Sequence, residues 1–103
     1  MRRVCAAVRE QAPELQVELA FLEFIPPDLR SCAESLIAEC CERILVVPMF
    51  IARGGHLKRD VPLLLEELRQ RHPQTCFELA AAIGEAEPII QAMARHALTL
   101  VSD

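Results

Sequence analysis

The chain has 103 residues, 52% of them hydrophobic, and a formal charge of −4 at neutral pH from 11 basic and 15 acidic side chains. That length fits one domain, residues 1–103, with ample apolar material for a core, so disorder is excluded. No apolar run approaches the ~18 residues of a membrane span, the apolar run 4–8 ends at Arg9, too short for a signal-peptide core, and an acidic chain with 4% aromatic residues and no Trp or Tyr lacks the make-up of a nucleic-acid binder. The expectation is a cytoplasmic protein with no membrane and no nucleic-acid partner.

Hydrophobic periodicity divides the chain into alternating units. Residues 2–12 place Val4, Cys5, Val8 and Ala12 on one helical face, and Pro13 stops the run. Residues 16–22 predict a mostly apolar strand. Pro26-Pro27-Asp28 then opens a helix through about Glu42, with Leu29, Cys32, Ala33, Leu36, Ile37 and Cys40 as its buried stripe. Residues 44–50 are apolar on both faces, which suits a strand of a parallel sheet covered by helices on two sides, with Pro48 near its end.

A Gly54-Gly55 loop follows, and Asp60 is expected to cap a helix carrying Val61, Leu64, Leu65 and Leu68 inward, closed by His72-Pro73. Residues 76–83 predict the third strand and Gly84 a turn. Pro88 opens a last helix with Ile89, Ile90, Met93, Ala94 and Ala97 facing the core. The architecture is an α/β fold, a small parallel-sheet three-layer sandwich in which βαβαβα is preceded by a helix. That first helix has no Ser, Thr, Asp or Asn to cap it and no strand before it, so a leading strand is expected to be missing.

Five cysteines, at 5, 32, 40, 41 and 76, form an odd set without a C-x-x-C pair. Reduced thiols are expected rather than a disulfide framework or a zinc ribbon. Walker-type, dinucleotide, nucleophile-elbow and H-E-x-x-H motifs are all absent from the sequence.

Ligands of open parallel sheets bind beyond the carboxyl ends of the strands. Two chemistry-bearing residues fall there: Glu23, at the end of the first predicted strand, and His56, in the Gly54-Gly55-His56 loop after the second. A carboxylate and an imidazole on one rim can share a divalent transition metal or divide a proton transfer. The bland alternatives are a polar strand boundary for Glu23 and a solvated loop for His56. Arg53, Lys58 and Arg59 surround His56 as a local cationic cluster, either a solubilising loop or a receiver for a substrate with several carboxylates. His72 and His96 lie near helix ends and are expected at the opposite rim.

The stretch 17–23, then Pro27-Asp28-Leu29, Val46-Val47-Pro48-Met49-Phe50, Gly54-Gly55-His56 and Arg59-Asp60-Val61-Pro62 resembles the short sirohydrochlorin chelatases of the CbiX type, and the likeness runs through the last helix. The resemblance implies an ATP-independent class II chelatase, a lyase, that inserts Co²⁺ or Fe²⁺ as substrate metal into sirohydrochlorin, for cobalamin or siroheme biosynthesis, with no organic cofactor. It implies that Glu23 and His56 face the metal as metal and catalytic residues, the imidazole taking pyrrole protons, and that the short form pairs as a homodimer. Arg53, Lys58 and Arg59 are then substrate contacts, a role read from charge and position alone.

Members of that family begin with a strand ending in a His-Gly pair, whose His is a third group at the metal, and this sequence has no counterpart. The expectation is an amino-truncated chain with impaired insertion. The alternatives are a non-catalytic metal- or tetrapyrrole-binding module, a partner subunit for another chain, or a purely structural interaction domain.

Overall fold

The 103-residue chain is described by a computed structural model over residues 1–21, 26–50 and 55–101, with 55–58 as backbone. The elements in chain order are α1 (Arg2–Gln11), α2 (Leu29–Ala38), β1 (Arg43–Val46), α3 (Gly55–Arg71), β2 (Cys76–Leu79), a 3₁₀ turn (Ile83–Glu85) and α4 (Glu87–Thr99). β1 and β2 pair in parallel, with Ile44 opposite Phe77 and Val46 opposite Leu79. The α/β class and the parallel sheet are therefore as the sequence predicts.

A strand alternates its side chains between faces, and here Ile44 and Phe77 point into the core while Leu45 and Glu78 do not. Ala33 of α2 and Val61, Leu65 and Leu68 of α3 close over Ile44 and Phe77, with Leu65 and Leu68 fully buried. One sheet face is thus covered by two crossover helices. On the other face Arg43 and Glu78 form an exposed ion pair at 2.6 Å, and Leu45 is 60% exposed.

Pairing continues past the ladder. The carbonyls of Val46, Pro48 and Phe50 accept from the amides of Ala80, Ile83 and Gly84. The predicted strands 44–50 and 76–83 are thus adjacent over their length, although only their first halves form regular ladder. Pro48 lies beyond the ladder's end, where its missing amide breaks no pairing.

Four expectations need correction. Residues 16–20 carry no ladder strand; the segment makes a single parallel bridge, Phe21 to Asp28, with the Phe21 amide donating to the Pro27 carbonyl. α2 stops at Ala38, not near Glu42, because Cys40 takes the left-handed conformation at φ 65°. The Cys40 and Cys41 amides then donate to Ile37 and Leu36, a Schellman closure that satisfies the last carbonyls. Cys40 is consequently exposed rather than part of the buried stripe.

α3 starts at Gly55, so Asp60 lies inside the helix instead of capping it, and the helix runs on through Pro62. α4 begins as expected, with Pro88 in its first turn, but none of its residues is buried. It packs chiefly against the 3₁₀ turn that leads into it, leaving Ile90 and Met93 about 40% exposed. A radius of gyration of 15.7 Å, against about 13 Å for a compact chain of this size, reflects that open arrangement.

Asp28 caps α2 by accepting the Ser31 amide at 2.8 Å. α1 starts at Met1 with no side-chain cap, as its sequence implies. All five cysteines are free. The Cys32 thiol is buried beside the Leu19 carbonyl, and burial, followed by the charges of Glu18 and Asp28, pushes its pKa up. It packs as a core thiol.

Candidate functional site

The carboxyl ends of 17–21 and of the β1 extension meet at one end of the molecule. Phe21 and Phe50 both border the same cavity, and the Phe21–Asp28 bridge sets the amino end of α2 beside it. α3 begins five residues after Phe50. The amino end of α2 therefore opens toward this rim with the Asp28 carboxylate already seated on it. Arg2 adds a cation, its guanidinium 5.6 Å from the centre of the Phe21 ring.

Of the predicted site residues, the structure describes Arg59 and the backbone of His56 and Lys58. Glu23 lies two residues beyond Phe21, and Arg53 three beyond Phe50; both fall outside the described residues. The backbone of His56 and Lys58 belongs to the first turns of α3, so His56 stands at a helix start rather than in a loop. Arg59 follows on α3 and is exposed. Among the described residues no group of three or more His, Cys, Asp or Glu could hold a metal ion.

His72 and His96 occupy other places. His72 follows the carboxyl end of α3, its carbonyl accepting from Thr75 just before β2, which puts it at the amino end of the sheet. Its Nε2 is buried without a hydrogen-bond partner. His96 is exposed near the end of α4, where its carbonyl accepts the Thr99 hydroxyl.

The sequence reading missed a cavity of about 410 Å³ between residues 18–21 and 44–50. Its walls include Leu19, Phe21, Ile44 and Val47, its floor Cys32 and Leu36 of α2, and Glu18 is its one charged lining residue among those described. An apolar slot of this kind does not suit a polycarboxylate. Its existence depends on how far 17–21 stands from β1, and nothing in the local pattern of either segment reports that distance.

The CbiX family model matches residues 1–99. This chain belongs to the CbiX family. It is 42% identical over 53 residues to a sirohydrochlorin cobaltochelatase of Sulfurisphaera tokodaii, a match covering 52% of this chain and 44% of that protein. With the protein of the same name from Methanococcus aeolicus it shares 35% over 63 residues, 61% of this chain and 44% of the relative. The chain thus spans about 44% of the length of these curated relatives. A crystal structure of a CbiX protein from Marinobacter aquaeolei VT8, named for cobalamin (vitamin B12) biosynthesis, superposes with a TM-score of 0.67 at 30% identity. That superposition covers 94% of this chain and 83% of the other, so the parallel-sheet fold extends over nearly all of the CbiX chain described above.

Proposed function

We propose that this CbiX chain takes part in inserting cobalt into sirohydrochlorin, with Co²⁺ as the substrate metal and Fe²⁺ as a second metal of the same ligand preference. The family match over residues 1–99 carries the reading, and the relatives named sirohydrochlorin cobaltochelatase supply its substrate. Physical support comes from two cations, Arg2 at the Phe21 ring and the exposed Arg59 of α3, which suit an acidic macrocycle in a protein whose net charge is −4.

In this reading Glu23 and His56 hold the metal while it passes to the macrocycle. His56, as neutral imidazole, has one lone pair, which would hold the metal first and, once the metal has passed to the macrocycle, accept one of the two protons released from the pyrrole N–H groups, the other leaving to water. Glu23 contributes an anionic oxygen that offsets the metal's charge. Arg53, Lys58 and Arg59 pair with peripheral carboxylates and fix the ring's orientation. Water completes the shell of a metal held by Glu23 and His56, so these two groups alone hold it loosely. The chain acts as a homodimer in the cytoplasm.

The test is anaerobic incubation of the protein with sirohydrochlorin and Co²⁺ or Fe²⁺, followed by the absorbance of the metallated ring. Insertion above the protein-free rate, lowered by Glu23→Gln, is expected. A rate equal to the protein-free control with both metals contradicts the proposal.

A further inference from the structure

β2 has one edge against β1 and one edge that α3 reaches with a single side chain. The amides of Cys76 and Ala80 donate to the carbonyls of Glu42 and Val46, so these residues of β2 turn toward β1. Backbone groups of successive residues in a ladder turn to opposite edges, which sends the amides and carbonyls of Phe77 and Leu79 outward. Among the described residues no third strand lies on that side. An edge of this kind is a template for a further strand.

Arg69 stands in the way. Its Nη2 donates to the Phe77 carbonyl at 2.9 Å, and its Nη1 donates to Glu66, one helical turn earlier on α3, at 3.2 Å. Leu65 and Leu68, both fully buried, anchor this part of α3 to the core, and Glu66 fixes the guanidinium where the carbonyl can accept from it. Phe77 is 4% exposed although it sits on an edge strand. A carbonyl already held by a charged donor is closed to an incoming amide. A strand laid over Arg69 must also take the guanidinium out of water.

The occupant excluded in this way follows from the edge itself. Residues 76–83 read Cys-Phe-Glu-Leu-Ala-Ala-Ala-Ile, with one charge and neither Pro nor Gly. Segments of that composition pair with their own copies once an edge is bare. The one charge, Glu78, is matched by Arg43 at 2.6 Å, which weakens repulsion between two such strands. Identical edges meet about a twofold axis, so the two strands lie antiparallel, with Phe77 and Leu79 of each copy at the hydrogen-bonding positions.

We propose that Arg69 guards the outer edge of β2: its hydrogen bond to the Phe77 carbonyl keeps a second copy of this chain from adding to the sheet there. The inference is independent of the chelatase reading and of the homodimer proposed with it. It concerns a contact that the wild type does not make, and its readouts involve neither metal nor tetrapyrrole.

The test compares wild type, Arg69→Met and Arg69→Lys by sedimentation velocity over about a hundredfold range of concentration, with urea midpoints and amide hydrogen exchange at Leu79. Met keeps an apolar stem without a donor, whereas Lys keeps a donor and the charge. Arg69→Met is expected to form species larger than those of the wild type as concentration rises, with Leu79 exchange slowed at least about tenfold in them. Arg69→Lys is expected to sediment as the wild type does. Glu66→Ala, which frees the guanidinium without removing it, is expected to associate less than Arg69→Met; if Arg69→Met loses its fold, a Glu66→Ala protein that stays at wild-type size overturns the proposal. Folded Arg69→Met of wild-type size at every concentration overturns the guard. Equal association of Arg69→Lys overturns the donor and its charge as the cause. Larger species with unchanged Leu79 exchange overturn this edge as their contact. Leu79 exchange as slow as that of the paired Ala80 amide in dilute wild type overturns the open edge itself.

Discussion

The two edges of β1 behave differently although the same residues supply both. Toward β2, alternate carbonyls from Glu42 to Phe50 are paired, and the side chains beneath meet α2 and α3 in a closed cluster around Leu65 and Leu68. Toward 17–21 there is no ladder, an apolar slot of about 410 Å³ intervenes, and Val47 remains 37% exposed. Apolar composition alone therefore does not close a sheet. Closure requires backbone partners on each edge, and among the described residues β1 has them on one.

If that contrast is right, the closed side should be sensitive to change and the open side tolerant. The largest effect is expected for Leu65→Ala, which removes a fully buried side chain and should lower unfolding free energy by about 2–5 kcal/mol in urea titration. A loss below about 1 kcal/mol would show that the cluster is not the stabilising centre. Next, Cys40→Gly relieves a left-handed non-glycine residue at the end of α2 and should raise stability by about 0.5–1 kcal/mol. No gain would mean the Schellman turn is unstrained.

A smaller effect is expected at Asp28, whose carboxyl is held below its ordinary range by the Ser31 amide it accepts. A depressed folded pKa stabilises above the unfolded value of 3.8 and ceases to do so as pH falls through the folded value. The urea midpoint of the wild type should therefore exceed that of Asp28→Asn near neutrality, with the difference vanishing in strong acid. A difference unchanged by pH would remove the cap's ionic component. The smallest effect belongs to the open side: Leu45→Ser, at a position 60% exposed, should change stability by no more than about 0.5 kcal/mol. A loss like that of Leu65→Ala would mean this face is covered in solution.

What the sequence made legible was what depends on local pattern. The stripes Leu29, Ala33, Leu36 and Val61, Leu65, Leu68 named the core faces of α2 and α3, and Pro88 marked the start of α4. What escaped it depended on partners distant in sequence. Residues 16–20 have the alternation of a strand but no neighbour to pair with. Ile90 and Met93 have the spacing of a buried face but remain about 40% exposed. Cys40 offered no Gly or Asn to announce a left-handed turn. The end of the molecule where Phe21 and Phe50 meet was legible in outline, because the carboxyl ends of parallel strands are a place topology dictates, and α3 starting at Gly55 puts the His56 backbone in its first turn. Glu23 and Arg53 lie outside the described residues.

The central claim is that this rim transfers cobalt, with His56 at the metal. The most direct measurement is the anaerobic rate of cobalt insertion into sirohydrochlorin for the wild type and His56→Ala at equal concentration, after matched urea midpoints show both are folded. The account predicts a wild-type rate above the protein-free control and a variant rate indistinguishable from that control. A variant as fast as the wild type would contradict it.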